Sequence, residues 1–297
     1  MKVLLTGGTG FIGSPVRRLL KQRDIDLYIA VYHHDPALEM LKKEYHVIPV
    51  DLLDASSRKN MLEIVNPDTL IHLAWYAEPN RFWHSPVNYD WMFAGADLYK
   101  HFVEQGGKRC MITGTCAEYD WRQGGCLHEE KTPLHPATFY GVSKDALRRL
   151  CQGLAALSET SFLWCRLFWP FGPGEPAGRL FTSLEEKWRA GEVAICNAGN
   201  LKRDYMHVDD IAEALIAASF SQLEGEINIA SGQSVALGDL AQHRAQQRGM
   251  QDLLEIRQIE TSPNTPAELY ADVSRLGTIF NVNGLTPPVD RILINGN

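Results

Sequence analysis

These 297 residues show no excess of basic side chains, no membrane-length apolar run and no metal-spaced cysteine cluster. Each absence excludes a class of protein. A formal net charge of −7 argues against a nucleic-acid surface, because counterion release requires a basic face. No apolar run reaches the roughly 20 residues of a bilayer-spanning helix. The first β-like run opens at residue 2 and leaves no room for a signal peptide. The six cysteines (Cys110, Cys116, Cys126, Cys151, Cys165 and Cys196) form no C-x-x-C pair and read as reduced thiols of a cytoplasmic protein. Internal repeats and low-complexity segments are missing too. Neither nucleic acid, membrane nor metal is therefore an expected partner. His33-His34 is no metal pair, since adjacent strand residues point to opposite faces.

What is present is an ordinary soluble composition, 45% apolar and 22% charged, in a chain long enough for a large core. Short β-like runs (3–5, 27–31, 47–50, 70–73, 110–113, 162–167) alternate with helical patterns (15–23, 37–43, 56–65, 90–105, 137–157). Such alternation predicts an α/β fold, a doubly wound parallel sheet covered on both faces, with ligands beyond the carboxyl ends of its strands. The Pro/Gly-rich loop 169–176 breaks the rhythm. Helical patterns at 180–190, 209–219 and 237–248 and strands at 226–229 and 254–259 follow. The expected organisation is a dinucleotide-binding domain over 1–168 that also takes back 203–231. Segments 169–202 and 232–297 would form a smaller α/β substrate-binding lobe.

The stretch Thr6-Gly7-Gly8-Thr9-Gly10-Phe11-Ile12-Gly13 lies between the first strand and the first helix. Glycines permit a tight turn and close approach to a diphosphate, which the helix N-terminus then favours. Both registers fit, Gly7/Gly10/Gly13 and Gly8/Gly10/Gly13. Further along, Tyr140 is the one tyrosine of ten with a lysine, Lys144, four residues on. On a helix this spacing puts the two on one face. A nearby ammonium would bring the phenol's pKa down from about 10 and make it a usable acid or base. Thr115, just past the fifth predicted strand, supplies a hydroxyl that can hold a substrate oxygen against Tyr140.

TGGTGFIG, Asp51-Leu52, His72-Leu73-Ala74, Thr115 four before Tyr119, YGVSK, Arg166-Leu167-Phe168 with Gly172-Pro173, and Arg203-Asp204-Tyr205-Met206-His207-Val208-Asp209-Asp210 occur in this order. Over nearly its whole length the chain thus resembles the extended short-chain dehydrogenase/reductases of the nucleotide-sugar epimerase/dehydratase family. The resemblance implies a Rossmann-type fold and an NAD(P) cofactor. Gly7, Gly10, Phe11, Ile12 and Gly13 would surround its pyrophosphate, and Asp51 and Leu52 would meet the adenine. Leu73, Ala74, Trp75 and Thr113 would line the path to the nicotinamide, with Lys144 on the ribose and Pro170 near the carboxamide. Tyr140 would exchange a proton with a sugar oxygen that Thr115 also binds. Trp75, Tyr76, Cys116, Trp169 and Arg203 would contact a nucleotide-sugar substrate, Arg203 through its diphosphate. Helices 90–105 and 137–157 would form a homodimer interface.

Departures from the family pattern narrow the chemistry. Cys116 and Ala117 stand where dehydratases carry acids, which argues against a 4,6-dehydratase. Trp169 and Trp91-Met92-Phe93 replace common substrate-touching asparagines, and Trp75, Tyr76, Phe82, Trp83 and Trp169 offer an aromatic-walled pocket instead. No Asp or Glu ends the second strand, where NAD binders hold the ribose 2′-hydroxyl. His33 and His34 stand there, Asp35 falls slightly late, and Arg17 is near, which leans toward NADP. The expected activity is reduction of a 4-keto deoxysugar through Thr115, Tyr140 and Lys144. The alternatives are a C4 epimerase with tightly held NAD and a non-catalytic dinucleotide sensor.

Overall fold

A computed structural model describes residues 1–286; the final part of the 232–297 segment, 287–297, lies outside the described residues. In chain order the first part runs β1 (Lys2–Thr6), α1 (Gly13–Lys21), β2 (Asp26–Val31), α2 (Leu38–Leu41), β3 (His46–Pro49), α3 (Ala55–Val65) and β4 (Thr69–His72). It continues through α4 (Val87–Glu104), β5 (Arg109–Thr115), β6 (Gly125–Leu127), α5 (Phe139–Ala155), β7 (Ser161–Leu167) and β8 (Trp169–Phe171). The remainder is α6 (Leu180–Arg189), β9 (Ala194–Cys196), β10 (Lys202–His207), α7 (Val208–Ser219), β11 (Gly225–Ile229), β12 (Ser234–Ala236), α8 (Leu237–Arg248), β13 (Leu254–Ile256) and β14 (Glu268–Ala271).

Seven strands make one parallel sheet in the order β3-β2-β1-β4-β5-β7-β11. Their apolar runs are explained by burial on both sides, since successive side chains point to opposite faces. Val3 and Leu5 of β1 pack with Val16 and Leu20 of α1 and Ile211 and Leu215 of α7. Leu4, between them, packs with Leu62 of α3, Leu98 and Phe102 of α4 and Leu147 of α5. Strand order reverses between β1 and β4, so a crevice opens beyond their carboxyl ends. The glycine loop follows one and Leu73-Ala74 follows the other.

The smaller sheet runs β12-β10-β14-β6, with β8 also paired to β10, and β9 pairs with β13. Strand β10 pairs here rather than in the large sheet. Within 203–231, the return to the large sheet therefore begins with α7 and ends with β11, which lies beside β7. Helices α4 and α5 pack on each other, and their Leu98, Phe102 and Leu147 face the sheet. The apolar side chains those helices leave exposed are Tyr89, Phe93, Phe139, Val142 and Leu150.

Candidate active site

The glycine loop is shaped for an anion. Gly7 adopts φ +73°, and a Cβ there would meet the Ala74 backbone nitrogen at 2.6 Å. A Cβ on Gly13 would lie 1.9 Å from the Gly7 carbonyl oxygen. Gly10 N–H donates to that same carbonyl at 3.1 Å. These contacts select the Gly7/Gly10/Gly13 register and bring the first turn of α1 to the crevice floor.

A cleft of about 600 Å³ extends from the loop. Gly7, Gly10, Phe11, Ile12, Gly13, Asp51, Leu52, Leu73, Ala74, Trp75, Thr113 and Pro170 all line it. His33 does not; Tyr32, one residue earlier, takes the wall position. Asp35 does not fold back either, because its carboxylate accepts from Ala37 N–H at 2.8 Å. Arg17 donates to the Gly8 carbonyl at 3.0 Å. The residues present thus fit a dinucleotide, with a glycine cradle that any side chain would fill and an apolar trough beyond it.

The cleft runs on into a chamber of about 320 Å³, lined by Thr115, Cys116, Tyr140, Lys144, Phe82, Trp83 and Trp169. Helix α5 starts where it does because Thr138 caps it, its hydroxyl accepting from Gly141 N–H at 3.1 Å. A Cβ on Gly141 would strike the Ala117 carbonyl at 2.4 Å, so only glycine lets the helix close onto the turn after β5. That approach sets Tyr140 beside Thr115. Three aromatic rings clasp the phenol ring edge-on: Phe82 at 4.9 Å, Trp83 at 5.8 Å and Trp75 at 6.3 Å. Asn88 ties this wall together, accepting from Trp75 Nε1 at 2.8 Å and donating to the Phe82 carbonyl at 2.6 Å.

The electrostatics differ from the sequence expectation. Burial raises the Tyr140 phenol above its ordinary range; the Thr115 hydroxyl, hydrogen-bonded to it, acts in the opposite direction. The Lys144 ammonium donates to the Thr113 carbonyl at 2.7 Å and sits 3.8 Å from the Trp75 ring centre. Burial pulls Lys144 down to about 7, with Glu118 pulling the other way. A raised, proton-holding phenol replaces the acidified one, because burial outweighs the hydrogen bond from Thr115. His72, buried behind Lys144, is driven down to about 3 by burial and then by that ammonium, so it is neutral. Its Nδ1 shares a hydrogen bond with Thr6 at 2.7 Å.

Thr115 is held from beneath. Its hydroxyl accepts from Ala117 N–H at 3.2 Å, so its own hydrogen is the one directed to Tyr140. Glu118 folds back to accept from Thr115 N–H at 2.8 Å, from Trp164 Nε1 at 3.0 Å and from Arg166 Nε at 2.7 Å. Arg166 also donates to the Tyr119 hydroxyl at 3.2 Å, which donates to Asn228 at 2.8 Å.

Two predicted substrate residues are not brought to the chamber wall. Tyr76 turns its hydroxyl to Glu78 at 2.8 Å. Arg203 is buried, donates to the Lys202 carbonyl at 2.7 Å and lies 5.5 Å over the Trp169 ring. The cation that lines both cleft and chamber is Arg179, at the entry of α6. Glu175, on the same loop, has a buried Oε2 without a hydrogen-bond partner and is pushed up to about 7 by burial, partly offset by Arg179. Neither carried a spacing signal; a Pro/Gly-rich loop says only that the chain turns. His207 caps α7, its Nδ1 accepting from Asp209 N–H at 3.3 Å.

A parallel doubly wound sheet with a glycine loop at its switch point and a Thr-Tyr-Lys set beyond it defines an extended short-chain dehydrogenase/reductase. The family model described as NAD dependent epimerase/dehydratase family matches residues 3–230, and the chain belongs to that family. It is an enzyme of the NAD-dependent epimerase/dehydratase class. The chain is 24% identical over 245 residues to dTDP-6-deoxy-L-talose 4-dehydrogenase (NAD(+)) of Aggregatibacter actinomycetemcomitans, covering 80% of this chain and 87% of that one. It is 26% identical to dTDP-4-dehydro-6-deoxyglucose reductase of Escherichia coli, covering 80% and 79%. UDP-glucuronic acid 4-epimerase from Bacillus cereus, solved with UDP-glucuronic acid and NAD, superposes with a TM-score of 0.85 at 20% identity, covering 100% of this chain and 98% of that one. At that identity the likeness bears on the fold.

Proposed function

We propose that this enzyme reduces the C4 keto group of a nucleotide-linked deoxysugar. The observation that carries the reading is the meeting of Thr115, Tyr140 and Lys144 in a chamber continuous with the dinucleotide cleft, with Cys116 and Ala117, not acids, on the turn beside them. NAD(P)H, when bound, supplies the hydride. Thr115 donates a hydrogen bond to the carbonyl oxygen and holds it against the phenol. Tyr140 gives that oxygen its proton as the carbon becomes tetrahedral, and the phenolate is reprotonated from solvent. Lys144 holds the nicotinamide ribose through the N–H groups that Thr113 leaves free. Arg179, rather than Arg203, takes the diphosphate, since it faces both halves of the cleft.

The proposed cofactor is NAD(P), with NADP favoured because no carboxylate lines the β2 end of the cleft. The family name and the NAD(+) of the talose dehydrogenase relative stand against that preference, so the ratio of kcat/KM for NADPH and NADH is the deciding measurement. A homodimer through the 90–105 and 137–157 helices is proposed on the exposed Tyr89, Phe93, Val142 and Leu150. A cytoplasmic location is proposed from six free cysteines; among the described residues no helix is long and apolar enough to cross a membrane. The domain division proposed is the large-sheet unit, 1–168 with 208–231, and the lobe formed by the rest.

The test incubates the purified enzyme with a panel of nucleotide 4-keto sugars and follows NAD(P)H absorbance and product NMR. Stoichiometric cofactor consumption is expected, and Tyr140→Phe should lower kcat by about 10²–10⁴. Interconversion of C4 epimers with retained NAD and no net consumption would establish the epimerase instead. Unchanged biological activity in Tyr140→Phe would point to the sensor.

A further inference from the structure

We infer that Cys126, His128 and Asp272 form a site for one zinc-type divalent metal ion, at the edge of the smaller sheet and away from the cleft. Strands β6 and β14 pair in parallel with Tyr270 opposite Cys126 and Ala271 opposite Leu127. Asp272 N–H extends the ladder to the Leu127 carbonyl at 2.9 Å. Side chains two apart on a strand share a face. Cys126 and His128 therefore emerge on one face, alongside Tyr270 and Asp272 of the neighbouring strand. One ligand atom from each of the three lies within 4.8 Å of the other two, and all three residues are partly exposed, so an ion can enter.

The geometry and the donor set agree. His128 Nδ1 and Asp272 Oδ2 are 3.4 Å apart. A tetrahedron on bonds of about 2.0–2.3 Å has edges of about 3.3–3.7 Å. A thiolate, an imidazole and a carboxylate favour zinc over magnesium or calcium, which prefer oxygen alone. The ligands are themselves oriented. Asp272 Oδ1 accepts from Ser274 N–H at 3.1 Å and Oδ2 from the Ser274 hydroxyl at 3.2 Å, while Tyr270 hydrogen-bonds the Cys126 sulfur. Charge favours a cation as well. Glu129 and Asp204 add their fields to that of Asp272 at Cys126, and Arg275 is the basic side chain acting on Glu129. As the sulfur–metal bond forms, the Cys126 proton leaves to solvent.

None of the three lines the cleft or its chamber. The ion would act as a staple between β6 and β14. Asn228 donates to the carbonyls of both Leu127 at 2.9 Å and Asp272 at 3.1 Å, and so anchors to this edge the chain Asn228–Tyr119–Arg166–Glu118–Thr115. Cysteine spacing alone misses the site, because the third ligand arrives from a strand far along the chain.

The full-length chain, stripped with chelator, is titrated with Zn²⁺ against a chromophoric competitor and with Co²⁺ under absorption spectroscopy. One zinc per chain is expected, with a thiolate-to-cobalt charge-transfer band. Cys126→Ser and Asp272→Asn, each shown folded by circular dichroism, should bind zinc at least about tenfold more weakly, and Cys126→Ser should lose the band. Failure to bind one equivalent, equal binding by wild type and both variants, or a cobalt band that survives Cys126→Ser overturns the assignment.

Discussion

Replacing Glu118 with glutamine removes one negative charge and leaves the Arg166 guanidinium facing no carboxylate. The side chains of the pair are 0% and 1% exposed, so water cannot compensate. Burial works against the Arg166 charge, yet Glu118 and the Tyr119 hydroxyl together more than offset it and hold the guanidinium above its ordinary range. Breaking one side of such a buried pair costs about 3–5 kcal/mol. Glutamine keeps the volume and an acceptor for Thr115 N–H, so a cavity does not contribute. Urea unfolding followed by circular dichroism and tryptophan fluorescence measures the loss. The double-mutant cycle with Arg166→Met is the control: since each single change strands the other group, the pair should show a coupling of at least about 2 kcal/mol. A loss below about 1 kcal/mol in Glu118→Gln, or simple additivity in the cycle, would refute the reasoning.

Two further outcomes follow from the same kind of accounting. Lys144 has a folded-state pKa of about 7 against an ordinary 10.5, so the unfolded chain binds more protons between those values and this residue makes stability rise with pH there. From pH 7 to 9 the cofactor-free wild type should gain about 2 kcal/mol relative to Lys144→Met, measured as the difference between their unfolding curves; a flat difference would contradict it. Gly13→Ala places a methyl 1.9 Å from the Gly7 carbonyl, so the loop must move and dinucleotide affinity, read by fluorescence quenching, should fall more than about tenfold. Unchanged affinity would mean that the loop does not hold the cofactor.

Much of the large sheet was legible because its strands are continuous apolar runs that alternate with helices, a pattern set by burial on both faces. Trp169–Phe171, Ala194–Cys196 and Ser234–Ala236 were not legible, being three residues each and defined by partners distant in sequence. At the site, the glycine loop and the Tyr140/Lys144 spacing were readable because local geometry fixes them. The direction of the Tyr140 shift was not, because it depends on Phe82 and Trp83 arriving from a loop with no periodicity. Arg203 and Arg179 exchanged places for a similar reason. A motif marks a position in the chain, but which arginine faces the cleft is set by the fold: Arg203 lies over the Trp169 ring, and Arg179 lines the cleft. Glu118 fell outside the acid positions of the family pattern, and its role emerges only once Gly114 lets it fold back beneath Trp164, where a Cβ would meet the indole nitrogen at 2.0 Å.

The place of β11 beside β7 also has a bearing on how the chain is made. Ser161–Leu167 leaves the ribosome about 60 residues ahead of its outer neighbour Gly225–Ile229, an interval of about 3–12 s at the usual 5–20 residues per second. During that interval Phe162, Leu163 and Trp164 sit on an open strand edge, a template for pairing with another nascent chain. Until Gly225–Ile229 emerges, this edge of the large sheet is therefore open to mispairing.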